Sequence, residues 1–193
     1  MDFLQPLFSC LQSVSQYPRS LFAAAFAIFF SSMDCDLTLW FCSKFGKSPK
    51  HMAGKVVWIT GSSSGIGESL AYVLSTVGCK LILCGTREQK LESVKRRCHE
   101  LNASLEDRDI LTLKFDMKDT ERMPQLVDQV IDHFGRIDVL VNNAGRTQRA
   151  LFETTELDVD RDMFEVNVFG MIRLTRAVVQ VCQSLLFMVY KIS

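Results

Sequence analysis

The sequence predicts a doubly wound α/β domain over residues 51–183, built on a parallel sheet. Three observations lead there. From Gly54 onward short apolar runs alternate with helix-length amphipathic segments, the pattern of repeated β-α units. The apolar runs are continuous, as strands buried on both faces require. A glycine-rich turn directly follows the first of them.

The elements follow in order. Val56 to Ile59 reads as the first strand, β-branched and aromatic throughout. Glu68 to Thr76 reads as a helix with Leu70, Val73 and Leu74 on one side and Gly78 placed to end it. Leu81 to Cys84 is the second strand. Gln89 to Leu101 carries Leu91, Val94, Cys98 and Leu101 at helical spacing, with Lys95, Arg96 and Arg97 on the solvated face. Ile110 to Phe115 is the third strand, Met123 to Phe134 the third helix, and Val139 to Val141 the fourth strand. After a loop, Asp160 to about Leu186 forms one long amphipathic helix. No internal repeat or low-complexity tract interrupts this order.

Composition narrows the function classes. Lysine plus arginine and aspartate plus glutamate both number 22, so no charge excess steers the chain toward nucleic acid. At 193 residues and 48% hydrophobic content, one domain with a buried core is expected. The seven cysteines, Cys10, Cys35, Cys42, Cys79, Cys84, Cys98 and Cys182, form no C-x-x-C pair, and no histidine stands at zinc-ligand spacing. They read as reduced thiols, mostly packed in the core, and no metal is expected.

Residues 1–50 differ in kind. Leu21 to Phe30 is an unbroken apolar run, too short by itself to span a bilayer, which takes about 20 residues. Lys44, Lys47, Lys50 and Lys55 come after it, against Arg19 before it, a bias that keeps the folded part on the cytoplasmic side. This apolar leader is a candidate membrane anchor, with a disordered leader and a wrongly assigned first exon as alternatives.

Thr60-Gly61-Ser62-Ser63-Ser64-Gly65-Ile66-Gly67 joins the first strand to the first helix, where a dinucleotide-binding turn belongs. Gly61 permits a positive φ, Gly65 leaves room for backbone to approach a pyrophosphate, and Gly67 lets helix and strand pack closely. The helix N-terminus offers free N–H groups and a positive dipole end to phosphates.

The T-G-x-x-x-G-x-G spacing, together with Asn142-Asn143-Ala144-Gly145 after the fourth strand, resembles the short-chain dehydrogenase/reductases over Gly54 to about Gln183. Asp34 to Trp40, Val56 to Gly61 and Val94 to Cys98 resemble one branch of that family. The resemblance implies a Rossmann-like sheet of which the front half, four strands plus helices, lies in this chain. It implies that Asn142, Asn143, Ala144 and Gly145 brace the sheet and line the adenosine side of a cofactor. It also implies that Asp116 meets the adenine ring and that Asn167 is the family's catalytic asparagine, which bends its helix to hold a proton-relay water. Thr60, Gly61, Ser63, Ser64, Gly65, Ile66 and Gly67 become the phosphate turn.

Cofactor choice is read after the second strand, where a carboxylate would accept from the ribose 2′-OH of NAD. Here the chain has Cys84-Gly85-Thr86-Arg87. Arg87 and the Thr86 hydroxyl suit a 2′-phosphate, so NADP(H) is favoured over NAD(H), with Glu88 as the opposing sign.

The family's serine and Tyr-x-x-x-Lys, which perform proton transfer, are absent. Tyr190 and Lys191 are adjacent and do not replace them. Residues 184–193 read as a divergent tail, and the fourth strand is expected to be an open, aggregation-prone edge that leaves the chain marginally stable. The resemblance implies an NADP(H)-dependent oxidoreductase of lipophilic alcohols and ketones, retinoid- or steroid-like, at the cytoplasmic face of the endoplasmic reticulum membrane or in the cytoplasm. A homo-oligomer is expected of the full-length form. The alternative is a catalytically inactive fragment that binds cofactor or a partner.

Overall fold

A computed structural model describes residues 45–46, 48–182 and 188–191. Pro49–Ser193 fall in one compact unit. Residues 1–44 of the leader, including Cys10, Cys35 and Cys42, lie outside the described residues. Among those described, no helix is long and apolar enough to cross a membrane.

The strands are β1 (Val56–Thr60), β2 (Lys80–Gly85), β3 (Ile110–Lys114), β4 (Val139–Asn142) and β5 (Met188–Lys191). They form one parallel sheet in the order β3-β2-β1-β4-β5. The helices are α1 (Gly65–Val77), α2 (Glu88–Leu101), α3 (Met123–Phe134), α4 (Leu157–Phe164) and α5 (Met171–Cys182). Between α4 and α5 the turn Glu165–Gly170 is π-helical.

Alternation along the strands divides the core into two layers. Trp58, Ile82 and Leu140 face one side and pack with Leu126, Val127 and Val130 of α3 and with Leu174 and Val178 of α5. Val57, Ile59, Leu81 and Leu83 face the other and pack with Ala71 of α1 and with Leu91, Val94 and Cys98 of α2. β1, β2 and β4 therefore carry apolar side chains on both faces, which is why their sequences show no polar alternation, whereas β3 places Thr112 and Lys114 on a more exposed face.

Three departures from the sequence reading have physical causes. α1 begins at Gly65 rather than Glu68, because its first turn takes in the end of the glycine turn, with Gly65 itself at φ +64°. The long helix expected from Asp160 starts at Leu157 and is broken by the π turn; residues 183–187, where it was expected to end, lie outside the described residues. The edge of β4 is not open: β5 pairs with it in parallel, Leu140 opposite Val189 and Asn142 opposite Lys191. That correction moves the sheet edge, from which marginal stability was expected, out from β4 to the four-residue β5.

β1 and β4 share three ladder pairs, Val57–Val139 to Ile59–Val141. A side chain extends the join downward. Asp138 accepts a hydrogen bond from Val56 N–H through Oδ2 at 2.8 Å, while its own N–H donates to Val56 O at 2.9 Å. Arg136 holds the same carboxylate.

Cys79, Cys84 and Cys98 are free and buried, in keeping with their reading as packed thiols. Burial pushes the Cys84 thiol up to about 12 and the Cys79 thiol up to about 11, from the ordinary 9.0. In the unfolded chain these thiols ionise near the ordinary value while the folded chain keeps them protonated. Stability should therefore be at its full value below about pH 9 and fall as the pH rises from there toward 12. Urea denaturation at pH 9 and pH 11 will show that loss, and Cys84→Ala will lessen the slope.

Candidate active-site half: a dinucleotide cavity

In a doubly wound sheet the crevice forms where the strand order reverses, at the carboxyl ends of the strands. Here the reversal lies between β1 and β4. A cavity of about 610 Å³ opens there.

Its base is organised by Thr60, the last residue of β1. The fully buried hydroxyl donates to Val141 O at 3.1 Å and accepts from the N–H groups of Asn143 and Ala144, both at 3.0 Å. One oxygen thus serves as donor once and acceptor twice, its full capacity. Asn143 Nδ2 donates in return to Thr60 O at 3.0 Å and Gly61 O at 3.2 Å. The two predicted motifs, one after β1 and one after β4, are therefore a single hydrogen-bonded unit.

Two glycines are required by that closeness. Gly61 has φ +67°, and a Cβ there would stand 2.8 Å from Ala144 Cα. A Cβ on Gly67 would stand 2.5 Å from Asn143 Nδ2 and 2.6 Å from Gly61 O, distances no side chain tolerates. Gly65, at φ +64°, faces open space. Ser64, the N-cap of α1, makes no side-chain cap. Its hydroxyl instead accepts a hydrogen bond from Arg87 Nη2 at 2.8 Å, leaving the helix N-terminus to whatever enters the cavity.

Of the residues singled out from the sequence, Gly61, Ser63, Ser64, Ile66, Thr86, Arg87, Asp116, Asn143, Ala144 and Gly145 line this cavity. Thr60 and Gly67 lie beneath it as supports, and Asn142 donates through Nδ2 to Thr175 Oγ1 at 3.0 Å on α5. Asp116 Oδ1 accepts from Lys118 N–H at 3.0 Å, closing its own turn at the rim.

Asn167 stands in the π turn. Its Oδ1 accepts from Arg146 N–H and its Nδ2 donates to Arg146 O, both at 2.8 Å. This reciprocal pair ties the π turn to the segment after Gly145. The cavity wall also takes in Cys84, Gly85, Phe115, Met117, Arg146 and Val166, which the sequence reading did not single out. Gly85, Phe115 and Met117 sit at or just past strand ends, and that position was the available signal.

The comparisons agree with this geometry. Residues 55–184 match the family model described as short chain dehydrogenase. The chain is 47% identical over 150 residues to human dehydrogenase/reductase SDR family member 7 and 45% identical to the mouse protein, covering 77% of this chain and 44% of each relative. It thus spans less than half the length of those relatives. Among solved structures, a short-chain dehydrogenase from Streptomyces avermitilis is 37% identical with a TM-score of 0.63, covering 72% of this chain and 49% of that one. An alcohol dehydrogenase from Thermococcus sibiricus, complexed with 5-hydroxy-NADP, is 27% identical with a TM-score of 0.64, covering 71% and 57%.

Substitutions at two positions test the geometry. Thr60→Val leaves the Ala144 N–H without its hydroxyl acceptor, while the Asn143 N–H and Val141 O keep only their bond to each other, and should cost about 1–3 kcal/mol in urea denaturation, whereas Thr60→Ser should keep most of the stability. Asn167→Ala should leave the melting curve nearly unchanged but speed hydrogen exchange at the Arg146 amide, read by NMR or mass spectrometry.

The shared unit of Thr60, the glycine turn and Asn142–Gly145, the β3-β2-β1-β4-β5 sheet and the matches over most of the chain together identify this chain as a member of the short-chain dehydrogenase/reductase family, a family of oxidoreductases with nicotinamide cofactors.

Proposed function

We propose that this chain holds the adenosine and pyrophosphate half of NADP(H) for an oxidoreductase acting on lipophilic alcohols or ketones. The observation that carries the reading is the floor of the cavity. Gly61 and Gly67 have no room for a Cβ there, and the N-terminus of α1 is left without a side-chain cap. Those features suit a pyrophosphate lying on the turn.

The preference for NADP(H) rests on charge. Arg87 and Arg146 line the cavity against the single carboxylate of Asp116. Arg87 reaches across the turn to Ser64, within the region a ribose 2′-phosphate would occupy. Solved relatives hold either cofactor, an NADP derivative in the Thermococcus structure and NAD+ in a xylitol dehydrogenase, so the preference rests on the charge around Arg87. Thr86 and Arg87 would hold the 2′-phosphate, Ser63, Ser64 and Ile66 the pyrophosphate side, and Asp116 the adenine. When bound, the cofactor supplies the hydride chemistry. Asn167, held to Arg146, would orient the proton-handling side of the reaction.

Retinoid- or steroid-like carbonyls are the proposed substrate class, and the 11-beta-hydroxysteroid dehydrogenase A of Sesamum indicum, 40% identical over 129 residues, supports it. The apolar leader, with its trailing lysines, supports a membrane-associated, cytoplasm-facing location at the endoplasmic reticulum. A second reading is favoured by one observation: these 193 residues contain no Tyr-x-x-x-Lys. On that reading the chain binds cofactor without turnover.

Fluorescence titration of the chain with NADPH and NADH tests the proposal. Saturable NADPH binding, abolished by Gly65→Trp, is expected. Arg87→Ala should weaken NADPH about ten-fold, the scale of one charge-assisted hydrogen bond, and leave NADH nearly unchanged. No saturable binding, or tighter binding of NADH, overturns it. Turnover of a ketone by this chain would remove the second reading.

A further inference from the structure

Beside the dinucleotide cavity lies a second one of about 490 Å³, which shares Thr86, Phe115 and Asp116 with the first and is lined also by Glu88 and Lys114. Glu88 opens α2, directly after Arg87. It is the one acidic group close enough in sequence to the tip of β2 to act there as the ribose-binding carboxylate of an NAD site. Its carboxylate is engaged elsewhere: Glu88 Oε2 lies 3.5 Å from Lys114 Nζ.

The sheet builds this pairing. Lys114 is the last residue of β3 and stands opposite Gly85, the last residue of β2. Phe115 N–H then donates to Gly85 O at 2.9 Å, so the ladder fixes Lys114 beside the segment leading into α2. One helical turn further along α2, Glu92 Oε1 accepts from Thr112 Oγ1 at 2.6 Å. Residues 112 and 114 alternate along β3, and 88 and 92 are one turn apart on α2. Both acids on that face of the helix are thus held by the edge strand.

We propose that Lys114 is a cofactor-specificity residue that acts through Glu88, holding its carboxylate toward β3 and away from the ribose 2′ position. A free carboxylate there would repel a 2′-phosphate and accept hydrogen bonds from a 2′-hydroxyl. Paired with Lys114, it does neither, and Arg87 is left to set the local charge. The inference rests on the NADP(H) reading and adds the residue that removes the sequence's one opposing feature.

The test is the ratio of NADPH to NADH affinity, measured by fluorescence titration in the native chain, Lys114→Gln, Glu88→Gln and the double variant, with thermal melts confirming that each is folded. Lys114→Gln should lower the ratio about five-fold, the scale of one exposed ion pair, mainly by strengthening NADH. Added salt should raise the native NADH affinity in the same direction, since screening loosens the pair. In the Glu88→Gln background, Lys114→Gln should leave the ratio unchanged. A shift that persists without Glu88 would mean that Lys114 meets the phosphate itself, and overturns the positioning role, as does an unchanged ratio in Lys114→Gln alone. A native chain that prefers NADPH while Lys114→Gln is silent overturns this inference alone; a native chain that binds neither nucleotide overturns the cofactor reading beneath it.

Discussion

The join between β1 and β4 is the constraint on which the cavity depends. The strand order reverses at this join, so each strand carries its own crossover to a different face and the chain above them parts to leave a crevice. A three-pair ladder alone is a short seam. It is extended at one end by Asp138 on Val56 and at the other by the Thr60 hydroxyl and the Asn143 amide. Because Thr60 is buried, each of its bonds exists in a low-dielectric surrounding where an unmade partner is costly. The glycines follow from that seam: Gly61 and Gly67 are glycine because Asn143 and Ala144 already occupy the space a Cβ would take.

Electrostatics then divides the rim of the cavity. Two arginines face it, while the nearby acids are mostly committed to protein groups: Asp116 to its own turn and Glu88 to Lys114. The cation that touches the phosphate turn, Arg87, does so from the start of α2 rather than from the turn itself. Adjacent β-α units thereby share one surface, and the third strand fixes how the second unit presents its charges there.

Most of the architecture was legible in the sequence because burial on both faces leaves a coarse signal. A strand such as β1, packed by α1 and α2 on one side and α3 and α5 on the other, must be apolar over Val56–Ile59, up to the Thr60 that ends it. The glycine turn and the Asn142–Gly145 segment were legible for a different reason, since close backbone approach narrows the choice of residue. What was missed has no such local constraint. β5 is defined by the free backbone edge of β4, which no pattern within Met188–Lys191 announces. The first turn of α1 contains Gly65 and Gly67, poor helix formers held in place by tertiary packing. Phe115, Met117 and Val166 join the cavity wall through the register of the sheet and the course of the helix beside it. The Glu88–Lys114 pair likewise depends on register, which a single strand does not encode.

The π turn at Glu165–Gly170 amounts to one surplus residue wound into a helix that is otherwise regular on both sides. Loss of any one residue there would let the backbone settle into uninterrupted α-helix. The cost would be angular: everything on one side of the deletion would turn by about 100° about the helix axis relative to the other. Asn167 could not then face Arg146 while Leu174 and Val178 still faced the core. A change of length that the loop before α4 would absorb in silence is, in the π turn, a change in which side of the helix faces the cavity. The spacing between Gly145 and α5 is therefore a dimension of the site, as binding as the identity of any residue in it.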